Sequence, residues 1–114
     1  MKSKGKEGEK FAEKFLSNKG YQLLERNYRH KRGEIDLIMK MDNLLCFIEV
    51  KLRSRIDFGQ PEDFVSENQK NLIIATAENF IHEKDWNDEV RFDIIALTVK
   101  GSDIEVEHFK DAFY

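Results

Sequence analysis

A single cysteine, Cys46, and a single proline, Pro61, are all that the 114 residues hold of either type. One thiol excludes an internal disulfide and any cysteine-based metal cluster, and its place in an apolar run makes Cys46 a small core residue. Scarce proline and scattered glycine leave no linker, low-complexity tract or internal repeat, so residues 1–114 read as one domain. Long apolar runs are absent too. The opening MKSKGKEGEK is charged and no signal-peptide or membrane-spanning segment follows it. The expectation is a cytoplasmic protein with no membrane partner.

Nor is there an excess of positive charge. A net charge of −3 argues against a strong non-specific nucleic-acid binder. The charge is unevenly spread, however: residues 1–55 hold 14 Lys and Arg against 8 Asp and Glu, and residues 56–114 hold 5 against 14. Either the basic half is a binding surface, or Lys-rich segments are simply solvated and the asymmetry does not survive in space.

What the chain does have is GEIDLIMKMDNLLCFIEVK, residues 33–51. It reads as two strands joined by a turn at Met41-Asp42-Asn43. In the first, Ile35, Leu37 and Met39 alternate; in the second, Leu45, Phe47, Glu49 and Lys51 share one face while Cys46, Ile48, Val50 and Leu52 share the other. A hairpin brings Asp36 opposite the Glu49 end of its partner. One reading makes Glu34, Asp36, Glu49 and Lys51 a solvated face laced by cross-strand ion pairs. Against it, LLCFIEVKL is apolar on both sides of the period, as a strand covered on both faces is. Charges there are costly unless paired or metal-bound.

At these residues the sequence resembles the PD-(D/E)XK nuclease superfamily, with Asp36 in one strand and Glu49-Val50-Lys51 in the next; Ile35 stands where the motif's proline would be. The wording is closer still to the small bacterial YraN-type family, which carries Gly-Glu-Ile-Asp-Leu-Ile and Phe-Val-Glu-Val-Lys, matched here by GEIDLI at 33–38 and FIEVK at 47–51. The family also opens with a Gly-x-x-Gly-Glu helix, matched by Gly5 to Glu9, and the related Holliday-junction resolvases place a catalytic Glu on that helix. Arg91-Phe92-Asp93 and Asp111-Ala112-Phe113 match the family's late motifs, so the resemblance spans nearly the whole chain.

The rest of the chain supplies supports for that hairpin. Lys4 to Lys19 has a helical stripe of Phe11, Ala12, Phe15 and Leu16, capped by Gly20, with Glu9 at the border of the stripe. Glu9 there either reaches the edge of the sheet or simply suits the helix N-terminus. Tyr21 to Asn27 reads as a strand, and Asn27 to Arg32 as a basic loop suited to phosphate contacts through Arg29, Lys31 and Arg32. His30 has no partner at ligand spacing and is not expected to bind metal. Arg53 and Arg55 extend the positive charge past Lys51, and Asp57 to Pro61 reads as a loop. Ser66 and Gln69 form a capping box opening a helix that runs to about Lys84, with Ile73, Ala77, Phe80 and Ile81 as its apolar stripe. Gln69 and Lys70 sit on its first turn, where the family carries a Lys and Gln pair, here in the order Gln then Lys; either the resemblance gives them a supporting role at the site or they are exposed polar residues of a first turn. Val90 to Val99 is a buried strand and Ile104 to Phe109 an edge strand. Arg91 and Asp93 are expected to form a structural ion pair.

The fold class expected is therefore α/β, a restriction-endonuclease-like mixed sheet of about five strands flanked by helices. The resemblance implies metal-dependent hydrolysis of a nucleic-acid phosphodiester, with DNA, and branched DNA within it, the first candidate. Asp36, Glu49 and the Val50 carbonyl would bind Mg²⁺ or Mn²⁺, and Glu9 would complete the site or hold a second ion. Lys51 would orient and activate the attacking water. A nuclease fold kept as a nucleic-acid-binding module and a protein-interaction subunit are the alternatives, with a homodimer or larger complex left open.

Overall fold

The structure, a computed structural model, describes residues 2–54 and 65–113. Arg55 and the Asp57 to Pro61 stretch lie outside the described residues. Among the described residues seven elements follow in order: α1 (Lys2–Ser17), β1 (Gln22–His30), β2 (Gly33–Met41), β3 (Leu44–Ser54), α2 (Glu67–Lys84), β4 (Glu89–Lys100) and β5 (Asp103–Phe109). The strands form one mixed sheet in the order β1-β2-β3-β4-β5. β1, β2 and β3 are an antiparallel meander, β3 and β4 are parallel, and β5 returns antiparallel at the edge. The parallel pair is connected through α2, as a parallel step requires a crossover. Among the described residues no helix is long and apolar enough to cross a membrane.

β3 is central, and each of its faces is covered by a different core. Leu45 and Phe47 join Ile35, Ile38, Phe92, Ile94 and the α2 residues Ile73, Ala77 and Phe80. Cys46 and Ile48 join Leu37, Met39, Ile95, Leu97 and the α1 residues Ala12 and Leu16. The double coverage is why LLCFIEVKL is apolar at both parities. On the α2 side Phe47 stacks at 5.4 Å on Phe92 and meets Phe80 edge-on at 6.0 Å, each ring contributing roughly 1.5–3 kcal/mol by burial. The α1 stripe is narrower than expected: Phe11 is 40% exposed, and Ala12 and Leu16 carry the buried face.

Helix ends follow their sequence signals. Gly20 takes a left-handed φ of 101° while Tyr21 N–H closes on the Leu16 carbonyl at 3.1 Å, a termination a non-glycine residue would strain. Ser66 Oγ accepts from Gln69 N–H at 3.1 Å and caps α2. The stretch read as a basic loop is largely strand: β1 continues through Tyr28, Arg29 and His30, and only Lys31-Arg32 turn into β2. Periodicity missed this because Asn27 interrupts it. Asn27 sits at φ 51°, a left-handed conformation that asparagine tolerates better than most residues.

Candidate active site

The alternation of β2 breaks at Asp36, and the break makes the site. Ile35 packs in the α2-side core whereas Leu37 packs in the α1-side core, so the two do not share a face as a regular strand would require. Pairing of β2 with β3 runs from Met41↔Leu44 to Leu37↔Ile48 and stops there. Asp36 stands at the point of divergence. Its Oδ2 accepts the Val50 N–H at 2.8 Å, replacing the ladder bond that the departing backbone no longer offers. On the other side, Asp36 and Asn27 occupy the facing positions between the Tyr28–Ile35 and Arg26–Leu37 pairs of β1 and β2.

Glu49 faces the α2 side, as its parity with Phe47 dictates, and is 8% exposed. Two donors converge on its Oε2: Gln69 Nε2 at 2.9 Å and Lys51 Nζ at 3.5 Å. The Gln69 side chain thus reaches the site instead of returning to Ser66 as the reciprocal half of a capping box would. Gly33 makes that reach possible. A Cβ there would lie 1.8 Å from Thr76 Oγ1 and 2.8 Å from the Leu72 carbonyl, so only glycine lets β2 start this close to the first turns of α2.

Burial and mutual repulsion act on the two carboxyls together. Burial and then repulsion from Glu49 push Asp36 up to about 8, with Glu9 adding to the rise and the Val50 N–H opposing it. Burial also raises Glu49, against the attraction and hydrogen bond of Lys51 and the hydrogen bonds of Asp36 and Gln69. Two buried carboxyls that resist joint ionisation form a site that a proton or a cation stabilises.

The other anticipated residues divide. Glu9 lies close enough for its charge to act on Asp36, and its Oε1 accepts from Asn27 Nδ2 at 2.9 Å. Arg32 lines a pocket of about 180 Å³ with Gly33, Glu34, Asp36, Glu49 and Gln69. Arg29 projects into solvent, 3.6 Å from Glu34, and Lys31 is exposed in the turn. Arg53 is committed elsewhere: its Nε donates to Thr98 Oγ1 at 2.9 Å and its guanidinium pairs with Glu107 on β5. Lys70 is within 4.0 Å of Glu67 and, among the described residues, pairs with neither site carboxylate. Arg91 forks onto Asp93 at 2.9 and 2.8 Å, deep in the fold with His108, Cys46 and the Asp111 N–H as further partners. Burial pushes Asp93 up, but the hydrogen bonds from His108, Arg91, Asp111 N–H and Cys46 overcome it and hold the carboxyl below its ordinary range. That network ties β3, β4 and β5 together. Asn27 and Gly33 were not singled out as site residues from the sequence; a lone Asn at a strand break and a Gly opening a strand carry no local signal of what they will face.

The donor chemistry fits a hard divalent cation. Asp36 and Glu49 offer carboxylate oxygens, and no group of three or more His, Cys, Asp or Glu forms a ready ligand set among the described residues. Two carboxylates with water and substrate phosphate filling the remaining positions are the usual Mg²⁺ arrangement, whereas a protein-only cage is not.

A five-stranded mixed sheet with one helix on each face, carrying an acidic residue where β2 leaves β3 and Glu-x-Lys on β3, is the PD-(D/E)XK or restriction-endonuclease-like class of fold. The chain belongs to the uncharacterised protein family UPF0102, matched over residues 8–97, the YraN-type family. Similar relatives include the UPF0102 protein of Flavobacterium psychrophilum, 43% identical over 110 residues covering 96% of this chain and 92% of that one. The UPF0102 protein of Natranaerobius thermophilus is 44% identical over 118 residues, covering 98% of both chains. That of Dictyoglomus turgidum is 43% identical over 112 residues, covering 96% and 95%.

Proposed function

We propose that this protein hydrolyses nucleic-acid phosphodiesters with Mg²⁺ or Mn²⁺, DNA being the favoured substrate and branched DNA the first form to examine. The observation that carries the reading is the meeting of Asp36 and Glu49 at a strand split, with Lys51 3.5 Å from Glu49. Asp36, Glu49 and the Val50 carbonyl would hold the ion. When bound, the ion supplies charge stabilisation at the phosphate and a more acidic water.

The chain's own groups do the remaining work. Gln69 and Lys51 both hold Oε2 of Glu49, fixing one rotamer of the carboxylate before substrate arrives. Val50 N–H does the same for Asp36. Lys51, with a side chain 30% exposed, orients the attacking water and offsets the charge that builds on the phosphate. Arg32 at the pocket rim receives a phosphate of the substrate. Glu9, held by Asn27, supports the site from the α1 side or binds a second ion.

The test is cleavage of linear, single-stranded, flapped and four-way substrates in Mg²⁺ and Mn²⁺. Wild type should cut at least one. Lys51→Ala should lose cleavage yet retain metal binding, because it removes no metal ligand. A protein that binds these substrates and cuts none of them, with metal bound, is a binding module instead.

A further inference from the structure

A second feature lies on the α1 side of the sheet. A groove of about 560 Å³ runs between α1 and β1, lined by Lys6, Glu9, Lys10, Glu13, Lys14 and Arg26 among others. Lys6, Lys10 and Lys14 recur every four residues, which stacks them on one helix face about 6 Å apart along the axis. All three are exposed, and among the described residues none has a carboxylate partner.

The acidic residues of the groove are otherwise engaged. Glu13 is neutralised by a two-pronged contact with Arg26, at 2.8 and 3.1 Å, which also fixes the groove wall to β1. Glu9 is held by Asn27. Glu9 keeps its charge, since an amide does not neutralise a carboxylate, but Lys6, Lys10 and Lys14 outnumber it and leave the concavity net positive. The helix macrodipole favours Lys14 alone, in the last turn of α1, and gives Lys6 and Lys10 no such support. At one end the groove reaches Glu9 and Asn27, and Asn27 faces Asp36 across the strand break.

We propose that the α1–β1 groove is the track for a nucleic-acid phosphate backbone, with Lys6, Lys10 and Lys14 contacting successive phosphates as the strand approaches Asp36. The proposal rests on the nucleic-acid reading of the site and extends it to a surface on the opposite side of the strand split from the Gln69 pocket. The lysines act by counterion release, so they add affinity without sequence preference.

The experiment uses the full chain in EDTA, with fluorescence anisotropy of a labelled duplex and a labelled single strand between about 50 and 200 mM salt. A Lys6, Lys10 and Lys14→Ala variant should bind at least tenfold more weakly at the low-salt end. Its log–log salt slope should be shallower by about 2–3, at ~0.7–0.9 for each lost phosphate contact. The corresponding triple Arg variant should restore both. Substitution at these exposed positions leaves the fold intact, which a thermal melt checks. A folded triple Ala variant with unchanged affinity and slope overturns the proposal, as does loss of binding that Arg does not restore. Mn²⁺ calorimetry on wild type and variant, each without and with nucleic acid, separates the two ideas. Absent metal binding in wild type with a triple-Ala binding defect sinks the hydrolase and leaves the groove; metal binding without such a defect sinks the groove alone.

Discussion

Asp36→Asn removes the ionisable group at the strand split while keeping its shape. An Asn oxygen still accepts the Val50 N–H, and the amide nitrogen can donate toward Glu49. In the wild type Asp36 is raised from 3.8 to about 8, so the folded protein binds a proton that the unfolded chain releases near pH 4. Stability from this proton is complete below about pH 4 and is lost progressively as pH rises to about 8. At 1.36 kcal/mol per pH unit the ceiling of that loss is about 6 kcal/mol, and because the titration is shared with Glu49 the expected loss is roughly 2–3 kcal/mol. Asp36→Asn should therefore be more stable than wild type at pH 8.5 in EDTA, by roughly 2–3 kcal/mol, or about 10 °C in Tm for a domain of this size. At pH 4 the two should nearly coincide. Urea melts at pH 4, 6 and 8.5 measure this directly. A wild type equally stable at all three values, with no gain on substitution, would refute the strained-carboxyl account.

Four further outcomes follow from the geometry. Gly33→Ala should cost about 2 kcal/mol or more, because its Cβ would overlap Thr76 Oγ1 and the Leu72 carbonyl; a chemical melt checks it, and metal affinity should fall with it as Gln69 is displaced. Gln69→Ala should leave stability within about 1 kcal/mol, losing one hydrogen bond to a charged acceptor, while weakening metal binding measured by calorimetry. Glu9→Gln should change stability by no more than about 0.5 kcal/mol and lower metal affinity or turnover; a large stability loss with normal activity per folded molecule would make Glu9 a helix-end residue only. Asp93→Ala should destabilise by about 3 kcal/mol or more, since it removes the buried acceptor shared by the half-buried Arg91, His108, Cys46 and the Asp111 N–H.

The hairpin, the sheet and the facing of Glu49 were legible because β3 obeys strict two-residue alternation from Leu45 to Lys51 and its turn carries Asp42-Asn43. α2 was legible from Ser66 to Lys84 because a capping serine precedes a clean apolar stripe. Three things were not. The parity switch at Asp36 cannot be read from GEIDLI, since Ile35 and Leu37 look equivalent until they are seen in opposite cores. The extension of β1 to His30 was hidden by the left-handed Asn27, which breaks the pattern without ending the strand. Gln69's side chain had two available partners, the free N–H of its own cap and a carboxylate twenty residues away, and only the tertiary approach set by Gly33 decides between them. Local signals specify elements well, but a site made where a strand departs from regularity is specified by the packing that tolerates the departure.

Calorimetric titration of Mn²⁺ into the metal-free protein at pH 7, in two buffers of different ionisation enthalpy and with nucleic acid present, tests the central claim most directly. The account predicts binding with release of about one proton, because the Asp36–Glu49 pair, with Asp36 held up to about 8, must lose its shared proton to bind the ion. Asp36→Asn and Glu49→Gln should abolish it and Lys51→Ala should keep it. No heat of binding in the wild type, or binding that survives both carboxylate substitutions, would contradict the account and leave the hairpin a structural ion-paired element.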